Sequence, residues 1–166
     1  MGVTDAVDTA SVAQHKQRVK MLNGIYAVYE RRQAVAYSQN RPSQLLNHLL
    51  PVRTAATRIT RADCSGLVAL GCDWAGIRPK VDWRYTNTWT QLALFPHEVP
   101  LARAEPGDLV FYGPATNDPH HVAIYKGAGM VYTNGHHPMS IERVNYRGDR
   151  IHIRSVLLPF PLPPPL

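Results

Sequence analysis

The sequence predicts an α+β fold in which N-terminal helices pack on a small antiparallel β-sheet. Apolar residues recur at helical spacing near the N-terminus, a capped apolar segment begins at Asp63, and beyond Pro106-Gly107 short β-rich runs alternate with glycine turns. Helices first and strands afterwards imply segregated layers rather than alternating βαβ units. With 166 residues, 45% of them hydrophobic, one domain with an ordinary core is expected. Its expected parts are an N-terminal helical region of that domain over 1–51, a core over 52–158 and a Pro-rich tail over 159–166.

Over 8–37, Val12, Val19, Leu22, Tyr26 and Tyr29 fall at helical spacing with Lys and Arg between them. Gly24 costs a helix interior about 1 kcal/mol relative to Ala, so one long helix and two shorter ones are both open. Residues 38–42 read as a turn opening a short helix that stops at Pro51, and 52–62 as a loop leading to the next cap. A helix over 64–75 buries Leu67, Leu70, Gly71 and Trp74 on one face and ends at Gly76. Residues 80–104 read as irregular; Trp83, Tyr85 and Trp89 there suit core or lid packing as well as substrate contact. Strands follow at 108–112, 121–125, 130–133 and 150–154, joined mainly by short turns. The tail from Pro159 cannot enter a central strand and should be extended.

A net charge of +6 suits an anionic partner. The basic residues are scattered, with no block beyond Arg31-Arg32 and no nucleic-acid motif, so nucleic acid is not the expected partner. No apolar run reaches the ~18 residues of a membrane span. The N-terminus lacks a basic start and apolar core, so no secretory signal peptide is expected. Cys64 and Cys72 are eight residues apart, about 12 Å along a helix, too far for a disulfide. Cys72 reads as structural.

Cys64 is the candidate nucleophile. Asp63 is a favoured N-cap, and first-turn amides with the helix dipole stabilise a thiolate or a developing oxyanion. A base is needed, and His120 or His121 opens a strand in which only one of the two can face the cysteine helix. Apolarity does not separate them; the small Ala123 leaves room beside His121 and favours it. His15, His48, His97 and His152 read as surface or packing residues. A third group must orient the imidazole. Asn134, His136 and His137 lie one hairpin later; Asn134 is preferred, although Asn134-Gly135 is also a turn signal, and His136 is its main rival. The Cys and His residues lack the paired short spacings of a metal site, so no metal and no cofactor is expected.

Asp63-Cys64-Ser65-Gly66, Pro106-Gly107-Asp108-Leu109-Val110-Phe111-Tyr112 and His121-Val122-Ala123-Ile124-Tyr125-Lys126-Gly127, in that order and spacing, resemble the NlpC/P60 family of papain-like cysteine peptidases over about residues 60–140. Trp74-Ala75-Gly76, Tyr112-Gly113-Pro114 and Val131-Tyr132-Thr133-Asn134-Gly135 resemble the version found in actinobacterial phage lysin-like endopeptidases. The resemblance implies a papain-like NlpC/P60 fold and hydrolysis of peptidoglycan stem peptides, commonly at the γ-D-glutamyl to diamino-acid bond. It places the family histidine at His121, with Cys64 as nucleophile and Asn134 as orienting residue, where relatives often carry histidine. It further implies substrate-binding roles for Ser65 and Asp63. The family's Tyr-x-x-Gly-Gly stretch before the cysteine is absent, and Tyr37 is its counterpart at longer range. The expectation is a monomeric phage or prophage product, made in the host cytoplasm and acting at the wall after release or within a virion. Amidase or acyltransferase chemistry at the same Cys-His site, and a non-catalytic tail or wall-binding role, are the alternatives.

Overall fold

Helix α1 (Val3–Glu30) runs unbroken through Asn23-Gly24, so the first region is one long helix. In this computed structural model, residues 3–40, 51–77, 85–115 and 117–156 are described, with side chains of α1 from Val12 onward. Gly24 is a point of close approach: a Cβ there would collide with the Trp74 ring and Val52. The seam is Met21, Ile25 and Val28, all fully buried at i, i+4 and i+7. Val12, Val19 and Tyr26 of the predicted stripe are exposed, and only Leu22 and Tyr29 pack partly on the core. The helix also ends earlier than predicted. Arg31 donates to the carbonyls of Ala56 and Ile59, and a 3-10 turn at Arg32–Ala34 leads into strand β1 (Ala36–Tyr37).

The predicted short helix over 42–50 lies outside the described residues, as does the Pro-rich tail. The predicted loop over 52–62 instead holds helix α2 (Val52–Ala56), which buries Ala55 and Ala56, and strand β2 (Arg61–Ala62). β2 pairs in parallel with β1, setting Tyr37 beside Ala62.

Helix α3 (Cys64–Trp74) begins where predicted. Asp63 is extended, and its Oδ1 accepts the Gly66 amide at 2.7 Å. Every residue from Ser65 to Trp74 is buried, so α3 is a central helix rather than one with a single buried face. Gly76, at φ 73°, follows its end. Cys64 and Cys72 are free thiols, as their spacing requires. Cys72 is fully buried, and burial followed by the charge of Asp73 raises its pKa. The segment predicted as irregular contains helix α4 (Thr88–Leu94), started by a reciprocal Asn87–Thr90 capping box, and strand β3 (Glu98–Val99).

The remaining strands are β4 (Leu109–Gly113), β5 (His121–Gly127), β6 (Met130–Thr133), β7 (Ser140–Arg143) and β8 (Arg150–Arg154). They form one antiparallel sheet with β3, in the order β3-β8-β4-β5-β6-β7. β7 was not predicted. Leu109, Phe111, Val122, Ile124 and Tyr132 pack with α1 and α3, whereas Val110, Tyr112, Ala123, Tyr125 and Val131 form a second cluster with Val144. This corrects the expectation that His121 faces the cysteine helix: α3 sits on the Val122 and Ile124 face, which His120 shares by alternation, while His121 shares the face of Ala123 and Tyr112. No described helix is long and apolar enough to cross a membrane.

Candidate active site

Cys64 is the one residue of α3 that is not buried, and it opens into a groove of about 520 Å³. Tyr37, Asp63, Ser65, Thr88 and Trp89 share that groove, with His120 also lining it. Cys64 Sγ lies 3.7 Å from the hydroxyl of Thr88, the first residue of α4. The β1–β2 pairing places Tyr37 near the thiol. Burial, then the electrostatic influence of Cys64 and Asp63, raises the phenol's pKa, so Tyr37 stays a hydrogen-bond donor in the groove.

His121 is 3% exposed at the start of β5. Its Nε2 lies 2.6 Å from Thr133 Oγ1 and 3.3 Å from Tyr146 OH, and those two hydroxyls are 2.8 Å apart. The Tyr112 ring packs at 5.7 Å between centroids, and Gly135 leaves space against the imidazole edge. Burial, then the Arg147 guanidinium, pushes the His121 pKa down to about 4 against an opposing pull from Asp149. The imidazole is therefore neutral near pH 7, as a general base must be. Nδ1 makes no hydrogen bond to the described residues. The thiol and the imidazole are not hydrogen-bonded to each other; Asn134 and Gly135 bridge between them, one bonded to the residues before Cys64 and the other against the ring.

Asn134 is buried, and its Nδ2 donates to the carbonyls of Ala62 at 3.1 Å and Asp63 at 3.4 Å. It ties the end of β6 to the α3 cap, while the ring's partners are Thr133 and Tyr146. The rival His136 is exposed with Nδ1 3.4 Å from the His137 carbonyl, and His137 Nδ1 lies 2.9 Å from the Val35 carbonyl. Asp63 and Ser65 do line the groove, but the Asp63 carboxylate is engaged as the helix cap. Ser65 is buried, with its carbonyl accepting Gln91 Nε2 at 2.9 Å and its hydroxyl 3.5 Å from Asp63 Oδ1. His120 is exposed and lies 3.3 Å from the Asp118 carboxylate. Among the described residues no group of three or more His, Cys, Asp or Glu could hold a metal ion.

Sequence reasoning missed Thr88, Thr133 and Tyr146. Alternation held a signal for Thr133. With Ile124 paired to Tyr132, Thr133 shares the face of Ala123 and His121, and Asn134 falls on the other. Nothing local marks Thr88 or Tyr146, which tertiary packing brings in.

The sequence profile of the NlpC/P60 family matches residues 51–156. No curated protein sequence matches. Among solved structures, RipD of Mycobacterium tuberculosis, a non-catalytic NlpC/p60 domain protein adapted to peptidoglycan binding, is 22% identical with a TM-score of 0.55 over 82% of this chain and 98% of its own. The P60 domain of a Mycobacterium avium paratuberculosis antigen is 18% identical, with a TM-score of 0.60 over 90% of this chain and 99% of that one. The peptidoglycan hydrolase RipB of Mycobacterium tuberculosis is 24% identical, with a TM-score of 0.52 over 85% of this chain and 68% of that one. At these identities the likeness is one of fold.

Proposed function

Because the chain belongs to the NlpC/P60 family, we propose that it is a cysteine endopeptidase that cleaves peptidoglycan stem peptides, at the γ-D-glutamyl to diamino-acid bond. The observation that carries the reading is an intact thiol at the capped start of α3, open to a groove that also holds a protonated Tyr37. In this reading Cys64 passes its proton to His121 and its sulfur attacks the stem-peptide carbonyl. The developing oxyanion takes hydrogen bonds from the amides at the start of α3 and from the Tyr37 hydroxyl. His121 then gives the proton to the leaving amine, and a water deprotonated by His121 resolves the thioester to a free carboxylate and thiol. The net charge of +6 favours the acidic polymers of a bacterial wall as the surface on which this happens.

The sequence resemblance to phage enzymes extends the proposal to a phage or prophage product, acting as a monomer at the wall after release or within a virion. A second reading is wall binding without hydrolysis, favoured by the thiol's contact with Thr88 rather than with the imidazole. Digestion of diaminopimelate-type peptidoglycan with mass spectrometry of the products separates the readings. The endopeptidase leaves stem peptides cut before the diamino acid. An acylated acceptor would indicate acyl transfer, and uncut peptides retained with bound protein would indicate the binding role.

A further inference from the structure

We propose that Thr133 and Tyr146 are the positioning residues of His121, a pair of hydroxyls in the place expected of a carboxamide, carboxylate or second imidazole. The inference rests on the peptidase reading of Cys64 and His121. Its basis is the closed triangle of His121 Nε2, Thr133 Oγ1 and Tyr146 OH, with sides of 2.6, 3.3 and 2.8 Å. The 2.6 Å contact is at the short end of hydrogen-bond distances, and both hydroxyls reach the same ring nitrogen from separate segments. Thr133 closes β6, and Tyr146 lies between β7 and β8. The ring is further fixed by packing against Tyr112, whose hydroxyl donates to Val144 at 2.8 Å.

Protonation follows from what surrounds the hydroxyls. The Arg147 guanidinium, held by Asp149 at 2.8 Å, also interacts with the Tyr146 side chain. A cation there favours the phenol oxygen as an acceptor, so Thr133 donates to Tyr146 and its oxygen is left to accept from His121 Nε2–H. The tautomer with its proton on Nε2 leaves the Nδ1 lone pair to receive the proton of Cys64. When that transfer occurs, the imidazolium keeps Nε2–H on Thr133 and presents Nδ1–H to the leaving nitrogen. An uncharged pair fixes the ring's plane and tautomer without supplying a counter-charge. Asn134, bonded to the backbone before Cys64, is left with a structural task.

The test combines ¹⁵N NMR of the imidazole with kinetics on diaminopimelate-type peptidoglycan for wild type, Thr133→Val, Tyr146→Phe, the double variant and Thr133→Ser. Wild type should hold His121 as the Nε2–H tautomer at pH 7. Thr133→Val should give a mixture of tautomers and lower kcat by about 10- to 100-fold with little change in KM, short of the ~10⁴-fold cost of a wrong tautomer where the third group is charged. Thr133→Ser should recover kcat to within about threefold, since it restores the hydroxyl. Should Thr133→Val not fold, Tyr146→Phe, at a partly exposed position, carries the same test through a smaller loss of kcat and a shifted Nε2–H resonance. An unchanged tautomer and unchanged kcat in the folded double variant would overturn the proposal. If the tautomer responds as stated and no form of the protein cleaves peptidoglycan, positioning stands and the peptidase reading fails.

Discussion

His121 is where residue environment sets behaviour. Its ring is surrounded by Tyr112 of β4, Thr133 of β6 and the Tyr146-Arg147 turn, with Asp149 beyond Arg147. A folded-state pKa of about 4, against 6.5 for an ordinary imidazole, means the fold favours the neutral ring. The stabilisation this represents is whole above pH 6.5 and is lost as pH falls toward 4, a change of roughly 3 kcal/mol. The acid limb of kcat/KM should accordingly lie near pH 4 to 5 rather than 6.5, because that limb reports the base of the free enzyme. A pH–rate profile with its acid limb at the ordinary histidine value would contradict the buried, neutral ring.

The third residue shows what was and was not legible at this scale. Cys64 and His121 stood out from local motifs, whereas the choice of Asn134 followed side-chain chemistry and overlooked strand parity. Asn134→Ala should remove its hydrogen bonds to the carbonyls of Ala62 and Asp63, which keep the Ser38 and Leu67 amides as donors, and cost about 0.5–1.5 kcal/mol in urea unfolding. The His121 tautomer should be unchanged in that variant. A shift of the tautomer with no loss of stability would return the orienting role to Asn134.

At the scale of elements, α3 was legible because its signals are local: an Asp63 cap, an apolar run and a glycine after its end. Asp63→Ala should cost about 1 kcal/mol from the lost cap. α1 was legible as a helix but not in its face, since docking on α3 rather than the apolar pattern selected Met21, Ile25 and Val28. Gly24 illustrates the difference. By helix propensity Gly24→Ala should stabilise α1 by about 1 kcal/mol, but the added Cβ meets the buried Trp74 ring, and overpacking of that kind costs about 1–3 kcal/mol. The expected outcome is a lowered urea midpoint, and a raised midpoint would show that Trp74 yields without cost. β1, β2, β3 and β7 were missed because two to four residues carry little periodic signal and their pairing is decided by distant partners. The β1–β2 pair matters most, since it brings Tyr37 to the groove across 24 residues of sequence.

For the whole molecule, the order of helices before strands was enough to read the α+β class and its antiparallel sheet, while the way α1 locks to the sheet was not visible. Arg18 makes that connection. Its guanidinium donates to Asp108 Oδ1 at 2.7 Å and to the Pro106 carbonyl at 3.1 Å, while Asp108 Oδ2 accepts the Glu105 amide at 2.8 Å. Asp108 is 1% exposed, so Arg18→Ala strands a buried carboxylate and should cost on the order of 3 kcal/mol. A change under about 1 kcal/mol, the range of an exposed ion pair, would place the hold on α1 elsewhere.

The fold thus opens a capped cysteine helix to a groove and holds a neutral imidazole on a neighbouring strand of the sheet. Hydrolysis of stem peptides by Cys64 is read by comparing wild type with Cys64→Ala for release of new amino groups from diaminopimelate-type peptidoglycan. Wild type should release amino groups steadily and Cys64→Ala none above background; equal release by both proteins would show that Cys64 is not the nucleophile.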